Sequence, residues 1–223
     1  MSVDAPTVLI GLYGAGGFGR EVMPMLRDAA ARQPHGARAE IVFVEHVVRR
    51  PHVNGHRVMS HDEFRGARAD EKYFNVAIAD SRARQAIAEP LEREGVRPLD
   101  IRASSAMVLD DNEIGPGAVL CAFSSVTSNA RIGRFFHSNL YAYVAHDCVI
   151  GDYVTFAPGV HCNGNVEIGD HAYVGTAAVI RPGSAGRPLR IGAGAVIGMG
   201  AVVTRDVPAG VTVVGNPARP LRR

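Results

Sequence analysis

From Ile114 to Ile180 every sixth residue is apolar, with one exception. The series is Ile114, Leu120, Val126, Ile132, Ser138, Val144, Ile150, Phe156, Cys162, Ile168, Val174 and Ile180, and Gly115, Gly133, Gly151, Gly169 and Gly175 each follow a member of it. A period of six fits neither a 3.6-residue helix nor a single flat strand. It fits a chain that turns a corner every six residues and points one side chain per edge inward, as a solenoid does. Three such edges make a triangular coil of 18 residues. A β-meander with Gly-rich turns would not hold so many positions in one phase. After Ile180 the next member is Ile191, and the phase then runs on through Ile197 and Val203. Ser184–Arg190 is therefore expected to be a loop thrown out of the coil.

The first hundred residues have a different grammar. Thr7–Tyr13 reads as a buried strand, Glu21 to about Ala31 as a helix with Pro24 in its first turns, and Glu40–Glu45 as a second strand. Ser60 and Glu63 form a capping box. Lys72–Ala79 is a third strand, Asp80 or Ser81 caps a helix that stops at Gly95, and Val96–Ile101 is a last short strand. This alternation argues for a small parallel α/β domain. The expected division is residues 1–105 for it and 106–223 for the coil.

Gly14, Gly16 and Gly19 satisfy G-x-G-x-x-G between a strand and a helix. That context suits a phosphate cradle at a helix N-terminus. Glu45-His46 ends the second strand, where such folds place a ribose ligand. Three readings fit: a dinucleotide site, a nucleotide-sugar site, or a tight turn without a ligand. The domain is short for a full dinucleotide fold.

Composition removes several classes. The net charge is +2 over 223 residues, so no overall field favours nucleic acid or an anionic membrane. No apolar run reaches membrane-spanning length, and Met1–Pro6 has no signal-peptide character. Cys121, Cys148 and Cys162 are odd in number and lack CxxC spacing, which gives neither a disulfide framework nor a zinc knuckle. The expected compartment is the cytoplasm.

Of nine histidines, His35, His46, His52, His56 and His61 fall in the first domain and read as solvated. His137, His146, His161 and His171 fall in the coil. With Val144 inward, His146 points away from the apolar centre and is followed by Asp147. A neutral histidine suits taking a proton from an amine or hydroxyl, and a neighbouring carboxylate favours the imidazolium that results. A surface histidine beside a surface aspartate, with no catalytic role, has the same spacing.

The blocks Gly14–Glu21, Val76–Arg84, Asn139, Val144–Gly151, Phe156–Asn165, Ile168–Gly175, Ile197–Val203 and Val214–Ala218 occur in that order. Together they resemble the sugar acyltransferases that carry hexapeptide repeats, a family that includes sialic-acid O-acetyltransferases and N-acetyltransferases of nucleotide-linked 4-amino-4,6-dideoxy sugars. The resemblance covers essentially the whole chain. It implies a Rossmann-like N-terminal domain, a left-handed parallel β-helix, a homotrimer with active sites between adjacent coils, and acetyl-CoA as donor with direct transfer. The left hand comes from the resemblance, since general crossover rules favour the right. Residue by residue, it implies His146 as base, Asp147 as its acidic partner and Asn139 near the acceptor. Thr155, Thr176 and Met199 match acetyl-CoA contacts. Gly16, Gly17 and Phe18 match the nucleotide cradle, Glu45 and His46 the base and ribose contacts, and Ala79 and Asp80 positions beside the sugar or phosphate. Phe18, where many members have His, and Ala79, where many have Gly, depart from the pattern in the acceptor pocket. No metal is implied.

Three rivals stand beside acetyl transfer to an amine. One is O-acetyl transfer by the same base. Another is a metal-dependent β-helix enzyme, for which the histidines lack a close pair. The third is a non-catalytic sugar-nucleotide sensor, which would need no base.

Overall fold

The computed structural model describes residues 8–32 and 39–221. The Met1–Pro6 segment, Thr7, His35 and the terminal Arg222-Arg223 lie outside the described residues. The chain divides into two compact units, Met1–Ile101 and Arg102–Arg223.

The first unit contains β1 (Val8–Tyr13), α1 (Gly17–Ala31), β2 (Ala39–Glu45), β3 (His52–Val53), β4 (His56–Ser60), α2 (His61–Gly66), β5 (Glu71–Val76), α3 (Ser81–Arg93) and β6 (Arg97–Pro98). Its sheet has the order β3-β4-β2-β1-β5-β6, parallel throughout except for the β3–β4 pair. All six residues of β1 are buried, as its unbroken apolar run requires of a central parallel strand. The strand order reverses between β1 and β5. Such a reversal opens a crevice at the carboxyl ends of those two strands.

Helix α1 buries Val22, Met23, Leu26, Ala29 and Ala30, which helical spacing gathers on one stripe. It starts at Gly17 rather than near Glu21, so Pro24 lies inside the helix and not in its first turns. Pro24 is exposed. The Arg20 carbonyl that it leaves without an N–H partner is on the wet side, where the break costs least. The capping box forms: Glu63 N donates to Ser60 Oγ at 3.1 Å and Ser60 N donates to Glu63 Oε2 at 2.6 Å. Asp80 is the cap of α3, its Oδ1 accepting from Arg82 N and Ala83 N at 2.9 Å each.

The second unit is a β-helix of three sheets, parallel except where Thr212–Val214 pairs with Arg219–Pro220. One face carries Val119–Leu120, His137–Ser138, Thr155–Phe156, Tyr173–Val174 and Val196–Ile197. The second carries Ser125–Val126, Tyr143–Val144, His161–Cys162, Val179–Ile180 and Val202–Val203. The third carries Glu113–Ile114, Arg131–Ile132, Val149–Ile150, Val166–Ile168 and Leu189–Ile191. Every inward position from Leu120 to Val203 is buried. Ile114, near the open end, is half-buried. The one polar member, Ser138, is fully buried, and its hydroxyl has no hydrogen-bond partner among the described residues.

Two boundaries differ from the sequence reading. The strand expected at Val96–Ile101 is two strands: β6 joins β5, whereas Ile101–Arg102 is already an edge of the β-helix. The period did not reveal that edge because its in-phase residue is Arg102, which closes the open end and donates from Nη2 to Ala106 O at 3.1 Å. The loop is also shorter than Ser184–Arg190. Leu189 and Arg190 pair with Val166 and Glu167 in the third sheet, so the protruding part ends at Pro188.

Candidate active site

Corner residues of the β-helix stand in columns, because each coil repeats the last. At the corner between the second and third faces, Asp111, Asn129, Asp147 and Asn165 all have positive φ, from 56° to 61°. Asn and Asp are the side-chain-bearing residues that tolerate this conformation best. Asp147 thus satisfies the corner, and it also holds His146: Nδ1 lies 2.7 Å from Asp147 Oδ2. A carboxylate only accepts, so that bond takes a proton on Nδ1 and leaves Nε2 as the acceptor nitrogen of the neutral ring. Both side chains are open to solvent, 59% and 50% exposed. Beneath the ring lies buried Gly164, where a Cβ would fall 2.5 Å from His146 Nε2 and Cε1.

The neighbouring sulfur is out of reach of solvent. Cys148 is fully buried and its Sγ donates to Asn163 O at 3.3 Å. Cys162 is buried beside it, and its hydrogen bond to Cys148 together with burial raises its thiol well above the ordinary value. An exposed histidine with only buried thiols beside it fits direct transfer better than an acyl-enzyme.

The other coil residues singled out in the sequence lie elsewhere. Asn139, Thr176 and Met199 share the corner between the first and second faces, with Gly200 N donating to Thr176 O at 2.8 Å. Asn139 Oδ1 accepts from Leu140 N at 2.7 Å. Thr176 is exposed, and Met199 is 81% exposed, so an apolar side chain stands in water. Thr155 is buried on the first face, paired with His137 and Tyr173. In one protomer the structure therefore does not bring Asn139, Thr176 or Met199 to His146. An edge of about 15 Å of extended chain intervenes.

In the α/β unit the glycines divide into two kinds. A Cβ on Gly19 would collide with Gly14 O, and Gly14 has φ 96°, so both serve the strand-to-helix turn. A Cβ on Gly16 or Gly17 would meet nothing within 4 Å. A turn without a ligand explains the first pair and not the second. Glu45 Oε1 accepts from Ala15 N at 2.6 Å, which ties the end of β2 to this loop. A cavity of about 520 Å³ opens there, lined by Gly16, Arg20, Glu45, His46, Arg49 and Arg50 among others. Ala79 and Asp80 follow β5 across the crevice, both exposed, with the Asp80 carboxylate engaged as a helix cap. Phe18 is half-buried.

Sequence reasoning missed three residues here. Arg84 is fully buried in α3 and its Nη1 donates to Ile78 O at 2.7 Å and Ala79 O at 3.3 Å, pinning the segment before Asp80. An arginine on an otherwise apolar helix face was its signal. Tyr13 and His61 are joined by a 2.9 Å hydrogen bond, and the His61 ring lies 5.3 Å from that of His46. Burial, then the neighbouring His46, lowers His61 below the ordinary imidazole value. His61 was read as solvated. Its place became visible only when β4 was added beside β2.

No protein-family model matches the chain. GDP-perosamine N-acetyltransferase of Escherichia coli O157:H7 is 52% identical over 215 residues, spanning 96% of this chain and 97% of that one. The solved structure of WeeI from Acinetobacter baumannii AYE is 51% identical with a TM-score of 0.91, spanning 96% of this chain and all of that one. PerB from Caulobacter crescentus, solved with CoA and GDP-perosamine, is 26% identical with a TM-score of 0.82, spanning 99% of each chain. A β-helix with an exposed, carboxylate-held histidine and only buried thiols beside it among the described residues suits acyl transfer. The chain belongs to the nucleotide-sugar N-acetyltransferases of the hexapeptide-repeat family.

Proposed function

We propose that the protein acetylates the amino group of GDP-perosamine, with acetyl-CoA as co-substrate. The observation that carries the mechanism is the His146 ring, held by Asp147 at Nδ1 and presenting Nε2 above Gly164. The amine attacks the thioester carbonyl as His146 Nε2 takes its proton. The C–S bond breaks, and the proton returns to the departing CoA sulfur. A base of this kind contributes about 10²–10⁴-fold. Asn139 positions the acceptor, and Thr176, Met199 and Thr155 contact acetyl-CoA.

The α/β unit takes the nucleotide. Its strand order β4-β2-β1-β5-β6 is that of the first five strands of a Rossmann-like sheet, with the ligand expected at the reversal beside β1. Gly16, Gly17 and Phe18 cradle the diphosphate, Glu45 and His46 meet ribose and base, and Ala79 and Asp80 flank the sugar. Two observations support this reading: Gly16 and Gly17 have no packing reason to be glycine, and the cavity beside them carries three arginines.

The β-helix is left-handed and the enzyme a homotrimer. Acceptor and donor residues on one corner, with the base on another, suit a site completed by a second copy. Free buried thiols suit a reducing compartment, the cytoplasm. No helix among the described residues is long and apolar enough to cross a membrane. The test is His146→Ala: kcat should fall at least 10²-fold with folding and both KM values retained. Near-wild-type turnover contradicts the assignment.

A further inference from the structure

The loop that interrupts the sixfold period emerges from the corner that carries His146. The registers Val144↔Cys162, Cys162↔Ile180 and Ile180↔Val203 place His146, Gly164, Pro182 and Arg205 at one position on successive coils. The loop leaves after Gly183, whose N–H donates to Gly164 O at 3.0 Å, and returns at Leu189, whose N–H donates to Asn165 O at 3.1 Å. Between these anchors Ser184 and Arg187 exchange two backbone hydrogen bonds, at 3.1 and 2.9 Å, around Ala185-Gly186. The loop is a small pinned hairpin with Arg187 at its rim.

Arg181, Arg187 and Arg205 are exposed, and none has an ion pair or side-chain hydrogen bond among the described residues. The acidic groups nearby are already engaged. Glu167 accepts from Arg190 Nε at 2.8 Å and Asp206 accepts from Arg190 N at 2.9 Å. Arg190 is thereby excluded, and the three remaining cations form a strip that starts two coils from His146 and ends three coils from it. Strands stack at 4.7–4.9 Å, so the strip ends about 14 Å from the base. It runs toward the C-terminal coils, as does the series from Asn139 to Thr176 and Met199 on the other corner. Met199 and Arg205 lie at the same level, each three coils beyond its own starting residue.

We propose that Arg181, Arg187 and Arg205 bind the phosphates of the 3′-phosphorylated adenosine diphosphate end of acetyl-CoA, with the pantetheine arm spanning from them to His146. The inference rests on the acetyl-transfer reading above. Guanidinium groups suit phosphate oxygens through paired N–H donors. The hairpin supplies the middle cation from a rigid base, which lowers the ordering cost of holding a flexible donor.

The test compares acetyl-CoA with acetyl-pantetheine, which has the same thioester and lacks the nucleotide phosphates. The native enzyme should favour acetyl-CoA in kcat/KM by about 10²-fold or more, the worth of two or more charge-assisted contacts. Arg187→Ala with Arg205→Ala should raise the acetyl-CoA KM by at least tenfold. The acetyl-pantetheine kinetics, the nucleotide-sugar KM and kcat should be unchanged. Equal use of the two donors by the native enzyme overturns the proposal and leaves acetyl transfer standing. So does a double variant with unaltered acetyl-CoA KM, or one that loses both donors equally. Absence of transfer from either donor in the native enzyme overturns the acetyltransferase reading and this proposal with it.

Discussion

The His146 ring lies so close to Gly164 that a single added methyl would displace it: the Cβ would sit 2.5 Å from Nε2. Asp147 holds the ring at Nδ1, and a glycine on the following coil leaves the room for it. Gly164 has no left-handed φ to protect, so alanine is allowed by the backbone. Gly164→Ala should fold normally and lose about 10²-fold in kcat, as misplacement of a reacting group by an ångström does. Unchanged kcat with a normal melting temperature would show that the ring position is not critical.

Asp147 has two duties, and one substitution separates them. Asparagine fits the corner, as Asn129 and Asn165 show at φ 61° and 56°. Asp147→Asn should keep the melting temperature and lower kcat about tenfold, the worth of one exposed charge-assisted hydrogen bond. Asp147→Ala should lose both rate and stability. Steady-state kinetics with thermal melts distinguishes the two.

The glycine loop makes opposite predictions for adjacent residues. Gly17→Ala should leave stability equal or slightly raised, since Ala is the better helix former, and should raise the KM of the nucleotide sugar alone. Gly19→Ala should destabilise by more than about 2 kcal/mol, because its Cβ has no room beside Gly14 O. If Gly17→Ala leaves the nucleotide-sugar KM untouched, the cradle assignment is wrong.

A site shared between copies can be tested by mixing. His146→Ala and Asn139→Ala protomers, each poorly active, should regain activity when co-refolded. About one interface in four then pairs an intact base with an intact acceptor corner. No recovery would mean that both residues serve one protomer.

His61 sets a pH dependence of stability in the α/β unit. Its folded value is lowered by burial and by His46, so the unfolded state binds the proton more readily. Stability is then full above the ordinary imidazole value of about 6.5 and declines as pH falls below it. Melting temperature should drop in acid more for the native protein than for His61→Gln. Equal slopes would remove His61 as the cause.

What was legible in the sequence followed the strength of the periodic signal. Twelve in-phase residues gave the coil and its inward side chains because a six-residue edge admits few alternatives. Arg102 hid the first edge, since an end coil has no layer beyond it and favours a polar closure. The β3–β4 hairpin was missed although Asn54-Gly55 is a turn signal, because the strands it joins are short. His146 and Asp147 were found as candidates from local spacing, and their roles came from the family resemblance. The separation of Asn139, Thr176 and Met199 from His146 was not, since which corner a residue occupies depends on counting coils rather than neighbours. Gly164 carries no side chain to notice; its role exists only in the ring above it.

The central claim is that this chain moves an acetyl group from acetyl-CoA to the amine of GDP-perosamine. The most direct measurement is release of free CoA thiol with GDP-perosamine as acceptor, with the mass of the product and the matching 4-hydroxy sugar as comparator. One CoA should be released per acetyl group gained on the amino sugar, and none with the hydroxy sugar. Release with the hydroxy sugar alone, or with neither acceptor, would contradict the claim.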